Sequence, residues 1–187
     1  MSNQNSSGRE TSLAGLIGAL IVTVACIIGF VMFREITRDV PETRPEAIDW
    51  KPVADAALRE GHPIAVPEVP ENWIVTNIRF EPTIKPTWDL AMLTDKEKFA
   101  GLFQSGERVE TLVESHVDED AEEGDPVTIP SGDLAGEWQT FTDDGGDFAL
   151  VHQDVNGTVL IYGSAPRQQL IDMAGSLVVG TPKSPTQ

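Results

Sequence analysis

From Leu13 to Phe33 the chain runs through apolar and small residues without a single charge. At 1.5 Å rise per residue, about twenty-one residues make roughly 31 Å of helix, close to the hydrocarbon thickness of a bilayer. The pattern predicts a transmembrane helix over residues 13–33, with a tail over 1–12 before it and a stalk over 34–48 after it. Cleaved signals have shorter apolar cores of about 7–15 residues behind a basic leader. Here the leader carries only Arg9, offset by Glu10, so the run reads as an uncleaved anchor. Cys26, the one cysteine, follows Thr23-Val24-Ala25, where a lipid-modification motif would place a leucine in the position of Thr23. The chain after it stays apolar, and the expectation is a buried thiol.

Beyond the stalk the pattern changes to short segments broken by proline and glycine. A helix is predicted from about Pro52 to Glu60 with Gly61 as its stop, and Pro63 to Pro70 should be extended. Trp73 to Phe80 and Thr87 to Leu93 read as strands. Thr94-Asp95-Lys96-Glu97 has the form of a capping box, which predicts a helix to about Gln104 with Phe99, Leu102 and Phe103 on one face. Val109 to Val117 is a strand candidate, followed by strands at Leu134–Thr142, Phe148–Gln153 and Thr158–Tyr162. Asn156-Gly157 predicts a type I′ hairpin turn, and Asp143 to Gly146 predicts another hairpin. A last helix is expected with Ser164 as N-cap, Pro166 in its first turn and Leu170, Met173, Ala174 and Leu177 as an apolar stripe. The order implies an α+β ectodomain over 49–179, a mostly antiparallel sheet with packing helices and the C-terminal helix on the sheet, then a tail over 180–187.

Charge sharpens this division. The whole chain has a formal net charge of −17 from 13 basic and 30 acidic residues. Residues 1–44 hold four arginines against Glu10, Glu35, Asp39 and Glu42, so the entire negative excess lies after them. Such a domain repels phosphate backbones, which excludes nucleic acid as a partner. Basic residues flank the apolar run on both sides, but a large domain after a first span is translocated largely regardless of its charge. The expected topology is a cytoplasmic N-terminus and an extracytoplasmic C-terminal domain at the cell membrane.

Candidate chemistry is sparse. The chain has no Gly-x-Ser-x-Gly elbow, phosphate loop, Gly-x-Gly-x-x-Gly or His-Glu-x-x-His. His62, His116 and His152 have no ligand partner at helical or hairpin spacing. Asp143, Asp144, Asp147 and Asp154 read as turn formers and strand-end residues. The run Asp118 to Asp125 has six carboxylates in eight residues and the oxygen chemistry of a calcium site, but Gly124 is one place late and Ile129 stands where the bidentate Glu belongs. It reads as a solvated acidic loop. Trp50, Trp73, Trp88 and Trp138 are either core or the lining of an aromatic groove. No catalytic, cofactor-binding or metal residue is assigned, and no cofactor is expected.

A single span followed by Asn72-Trp73, Asn77-Ile-Arg79, Gly136-Glu-Trp138-Gln-Thr-Phe141, Val159-Leu-Ile-Tyr-Gly163 and Leu170-Ile-Asp-Met-Ala174-Gly-Ser-Leu177 resembles a family of actinobacterial membrane proteins known only as a domain of unknown function. In topology the pattern is also similar to the Mog1/PsbP-like sandwich. The resemblance implies an envelope protein and carries no catalytic residues. The expected function is a non-catalytic interaction or accessory domain, held to the lipid bilayer by its N-terminal helix and facing an envelope protein partner. The alternative is a lipid- or glycan-binding carrier or sensor.

Overall fold

Alternation of apolar and polar positions builds most of the structure. In the computed structural model, which describes residues 45–180, Thr87–Leu93 turns Trp88, Leu90 and Met92 to one side and leaves the residues between them half-exposed. This is strand β3, whose side chains alternate between the two faces with a period of two. In chain order the elements are α1 (Lys51–Arg59), β1 (Ala65–Val66), β2 (Ile74–Glu81), β3 (Thr87–Leu93), β4 (Phe99–Ser105), α2 (Val109–His116), β5 (Glu122–Ile129), β6 (Gly136–Thr142), β7 (Phe148–Asp154), β8 (Gly157–Gly163), α3 (Arg167–Gly175) and β9 (Val178–Val179). Seven strands pair antiparallel in the order β2-β3-β4-β8-β7-β6-β5, and β1 pairs with β9 as a separate ribbon.

Both faces of the sheet are used. On one, Ala54 and Ala57 of α1 and Leu170, Met173 and Ala174 of α3 join Trp88, Leu102, Trp138, Leu150 and Ile161 in the main core. On the other, Leu112 and Val113 of α2 pack on Ala149, Val151 and Leu160. Full burial of each large side chain contributes about 1.5–3 kcal/mol, so the tryptophans and leucines dominate stability. Several polar groups inside are paired. Gln104 accepts from the Ala65 amide at 2.7 Å and donates to the Pro63 carbonyl at 3.0 Å, which ties the proline-punctuated segment to the sheet. The Trp88 indole donates to the Ala65 carbonyl and the Trp138 indole to the Leu134 carbonyl, each at 3.0 Å.

The α+β class and mostly antiparallel sheet agree with the sequence reading, as do the first and last helices and the Thr87–Leu93 strand. The helix expected from Thr94 to Gln104 does not form. Thr94 Oγ1 accepts from the amides of Lys96 and Lys98, the Thr94 amide donates to the Lys98 carbonyl, and Glu97 takes a positive φ of 58°. The hydroxyl that would cap a helix closes a hairpin turn instead, and Phe99–Ser105 pairs with β3 and β8. Leu102 and Phe103 consequently face opposite cores. The strand expected over Val109–Val117 is helix α2, because Val109, Leu112 and Val113 recur at helical spacing and pack together on the sheet.

Smaller differences have equally local causes. The second half of the acidic run belongs to edge strand β5, whose exposed Glu122 and Glu123 precede a bulge between Gly124 and Val127 that takes in Asp125. The β7–β8 hairpin turns through Val155 and Asn156, one place earlier than expected. Gly157 takes φ of 119°, whereas Glu97 is the only non-glycine with positive φ among the described residues. Asp154 Oδ1 accepts the Asn156 amide at 2.7 Å and steadies this turn. Pro166, with no side-chain hydrogen bond, occupies the N-cap of α3, while Ser164 Oγ accepts from the Phe99 amide at 3.1 Å. The apolar run 13–33, the N-terminal tail, the stalk up to residue 44 and the last seven residues lie outside the described residues. Among the described residues no helix is long and apolar enough to cross a membrane, and the Ile48 amide is already hydrogen-bonded to the Val75 carbonyl of β2 at 2.8 Å.

Candidate functional site

The three histidines have separate surroundings. The His62 ring meets Phe80 edge-on at 5.1 Å and lies 4.0 Å from Glu60, beside a pocket of about 140 Å³ that Phe80, Trp88 and Lys85 also line. His152 stacks on Trp138 at 5.1 Å, with Nδ1 at 3.2 Å from the Glu137 carbonyl. His116 lies on the opposite face of the sheet, at the end of α2, against Phe103 at 4.1 Å. Among the described residues no group of three His, Cys, Asp or Glu side chains comes together as a metal site. Asp118 and Asp143 serve turns: Asp118 Oδ1 accepts the Asp120 amide and Asp143 Oδ1 the Asp147 amide.

Around His116 the fold assembles a titratable cluster that no sequence motif marks. β3 directs Asp89 to the face opposite its core neighbours Trp88 and Leu90, directly across from Arg79 of β2. Tyr162 of β8 stands 5.7 Å from the His116 ring and 5.4 Å from Phe99, ring centre to ring centre. Gly101 makes room for it, since a Cβ there would lie 2.5 Å from the tyrosine ring. Burial raises Asp89 above its ordinary range, opposed by the charges of His116 and Arg79. Burial lowers His116, opposed by its hydrogen bond to the Leu112 carbonyl and by Asp89. Burial, with the Asp89 charge, pushes Tyr162 up to about 12 and keeps it protonated at neutral pH. Because Ser115 Oγ and the Leu112 carbonyl both engage His116 Nδ1, this ring is held by its own helix.

The larger concavities lie on the α1/α3 face, beside the link from β1 to β2. One of about 510 Å³ is bounded by Glu68–Trp73 on one side and by Gln169, Asp172, Met173 and Ser176 of α3 and its end on the other. A second, of about 490 Å³, adjoins the same link and is closed by Trp50 and Lys51 at the start of α1. Proline fixes the backbone of the link at Pro67 and Pro70. Its Glu68 amide donates to Ser176 Oγ at 3.2 Å, holding the two walls together. Gln169 Oε1 is buried and has no hydrogen-bond partner. Trp73, Trp138 and Leu170 are 7%, 0% and 0% exposed, so the space between sheet and helix is filled and the grooves stay at the surface. Trp50 and Trp73 thus border a groove, and Trp73 also belongs with Trp88 and Trp138 to the main core.

A family model matches residues 9–177, from the N-terminal tail through the apolar run to just past α3. The chain belongs to that family, described as protein of unknown function (DUF4245). No curated protein and no solved structure matches it. In this DUF4245 chain the matched span contains both walls of the groove, and of the elements above only β9 falls outside it.

Proposed function

We propose that this chain is a membrane-anchored protein whose acidic domain stands outside the cytoplasmic membrane and binds an envelope protein partner without catalysing a reaction. One observation carries the reading. A charge-free apolar run of bilayer length is followed by a separately folded unit that holds all of the chain's negative excess. Such a unit stays soluble beside a membrane, avoids anionic headgroups and steers basic surfaces toward itself. The carboxylate-bordered groove along Glu68–Trp73 supplies a docking surface of ordinary ligand-site size, about 300–1,000 Å³. A glycan carrier draws support from Trp50 and Trp73 at the groove, but a Trp73 only 7% exposed offers little ring face for a sugar to stack on.

Photo-crosslinking in cells tests the interaction reading. A photoreactive amino acid at Asn72, on the groove rim, should trap a discrete protein adduct. Recovery of the chain alone, with no adduct above the unirradiated background, would contradict it.

A further inference from the structure

We propose that the pocket of about 140 Å³ beside His62 binds a small hydrophobic ligand through a single ring or branched alkyl end. One wall is a ladder of rings: His62 meets Phe80 edge-on at 5.1 Å, and Phe80 meets Trp88 edge-on at 6.5 Å. Pro63, Ile64 and Pro86 extend the apolar lining. Most polar side chains around it are already committed within the fold. Gln104 bonds the Ala65 amide and the Pro63 carbonyl, and the Trp88 indole donates to the Ala65 carbonyl. Ser105 Oγ accepts the Glu107 amide at 3.1 Å, Asn156 Nδ2 donates to Asp154 at 3.1 Å, and Lys85 pairs with Glu107 at 2.8 Å. That leaves the His62 ring and the Thr87 hydroxyl as polar contacts in a mostly apolar space.

Size selects the ligand. An apolar cavity of about 150 Å³ takes up benzene, whereas drug-sized ligands need about 300 Å³ or more, so one ring fills this pocket. At its rim Ile84, in the β2–β3 turn, is 103% exposed, and Val155, next to the lining residue Asn156, is 99% exposed. Aliphatic residues exposed singly need no explanation, but two at one mouth give the rest of a hydrophobic ligand a surface to cover. The rim is also built in advance. Pro82 and Pro86 restrict the backbone on either side of Ile84, Thr83 Oγ1 donates to the Lys85 carbonyl at 2.6 Å, and Asp154 Oδ1 accepts the Asn156 amide at 2.7 Å. A preformed rim lowers the ordering cost of binding. The pocket shares no lining residue with the concavities beside α3, so its occupation does not depend on a protein partner there.

Disulfide tethering on the full chain in detergent tests this, with Cys26→Ser removing the native thiol. Asn156→Cys or Thr87→Cys places one thiol in the lining, and Glu119→Cys places one on the exposed turn after α2 as a reference. Each protein is equilibrated with equal amounts of benzyl mercaptan and mercaptoethanol, and intact mass gives the ratio of the two mixed disulfides. Micelles take up the apolar thiol equally in every sample, so the ratio at a lining position relative to the reference reports the pocket. Both lining positions should favour the benzyl adduct over the reference by at least about tenfold. Gly106 also lines the pocket, and a Cβ there has room, 4.0 Å from Lys85 Cγ. Gly106→Leu, with its near-ultraviolet circular dichroism unchanged, should bring the ratio down to that of the reference. Ile84→Ser should lower it about threefold. A ratio equal to the reference at both lining positions, or one that Gly106→Leu leaves intact, overturns the assignment.

Discussion

Burial of the His116 ring against Phe103 and beside Tyr162 disfavours its charged form, and acid should act on the fold through this side chain. A group whose folded value lies below its ordinary one, here 6.5, contributes stability that is present above that value and lost as pH falls through the folded value. Asp89 has the opposite sign and a lower window: its raised value means that ionisation costs stability, relieved only on approach to the carboxylate range. Thermal melts of the full chain in detergent at pH 7.5 and 5.5 should therefore show an acid loss that His116→Gln reduces. His62 and His152 are present in both proteins, so an unchanged loss in the variant would contradict the assignment. Gly163 gives a second residue-scale test. Its φ of 136° disfavours any side chain, and a Cβ would collide with the Phe99 carbonyl. Gly163→Ala should cost about 2–3 kcal/mol by denaturant unfolding. The sequence marked Gly163 only as the end of a strand, because the collision comes from β4, far along the chain.

At the scale of elements, the strands that the sequence predicts best are those with strict alternation between prolines or glycines, as in Thr87–Leu93. There the local pattern and the tertiary pairing agree. They disagree at Thr94–Glu97, where a capping box is a local signal and the hairpin is decided by pairing of Phe99–Ser105 with strands on both sides. The Thr94 hydroxyl, accepting from two amides, should be a main support of that turn. Thr94→Val should destabilise the fold by about 1–3 kcal/mol, measured by denaturant unfolding, since it strands donors in a position that is 5% exposed. A cost near zero would assign the turn to strand pairing alone. The groove was illegible for another reason. Glu68 and Ser176, which join its walls, are 108 residues apart in sequence, and neither wall carries a recognisable motif. The Asp89 cluster was hidden in the same way, by a side chain whose neighbours come from β2, α2 and β8.

For the molecule as a whole, the division between an uncharged apolar run and an acidic folded unit was fully legible, because it depends on composition and length alone. Membership in the DUF4245 family extends across both parts, over residues 9–177. The account depends most on the side of the membrane that the acidic unit occupies, since the proposed envelope partner could meet it only there. Cysteine labelling measures this directly. With Cys26→Ser removing the native thiol, Glu119→Cys places a single thiol on an exposed turn after α2. A membrane-impermeant maleimide added to intact spheroplasts should label that thiol to the same extent before and after lysis. Labelling that requires lysis would put the domain in the cytoplasm and contradict the account.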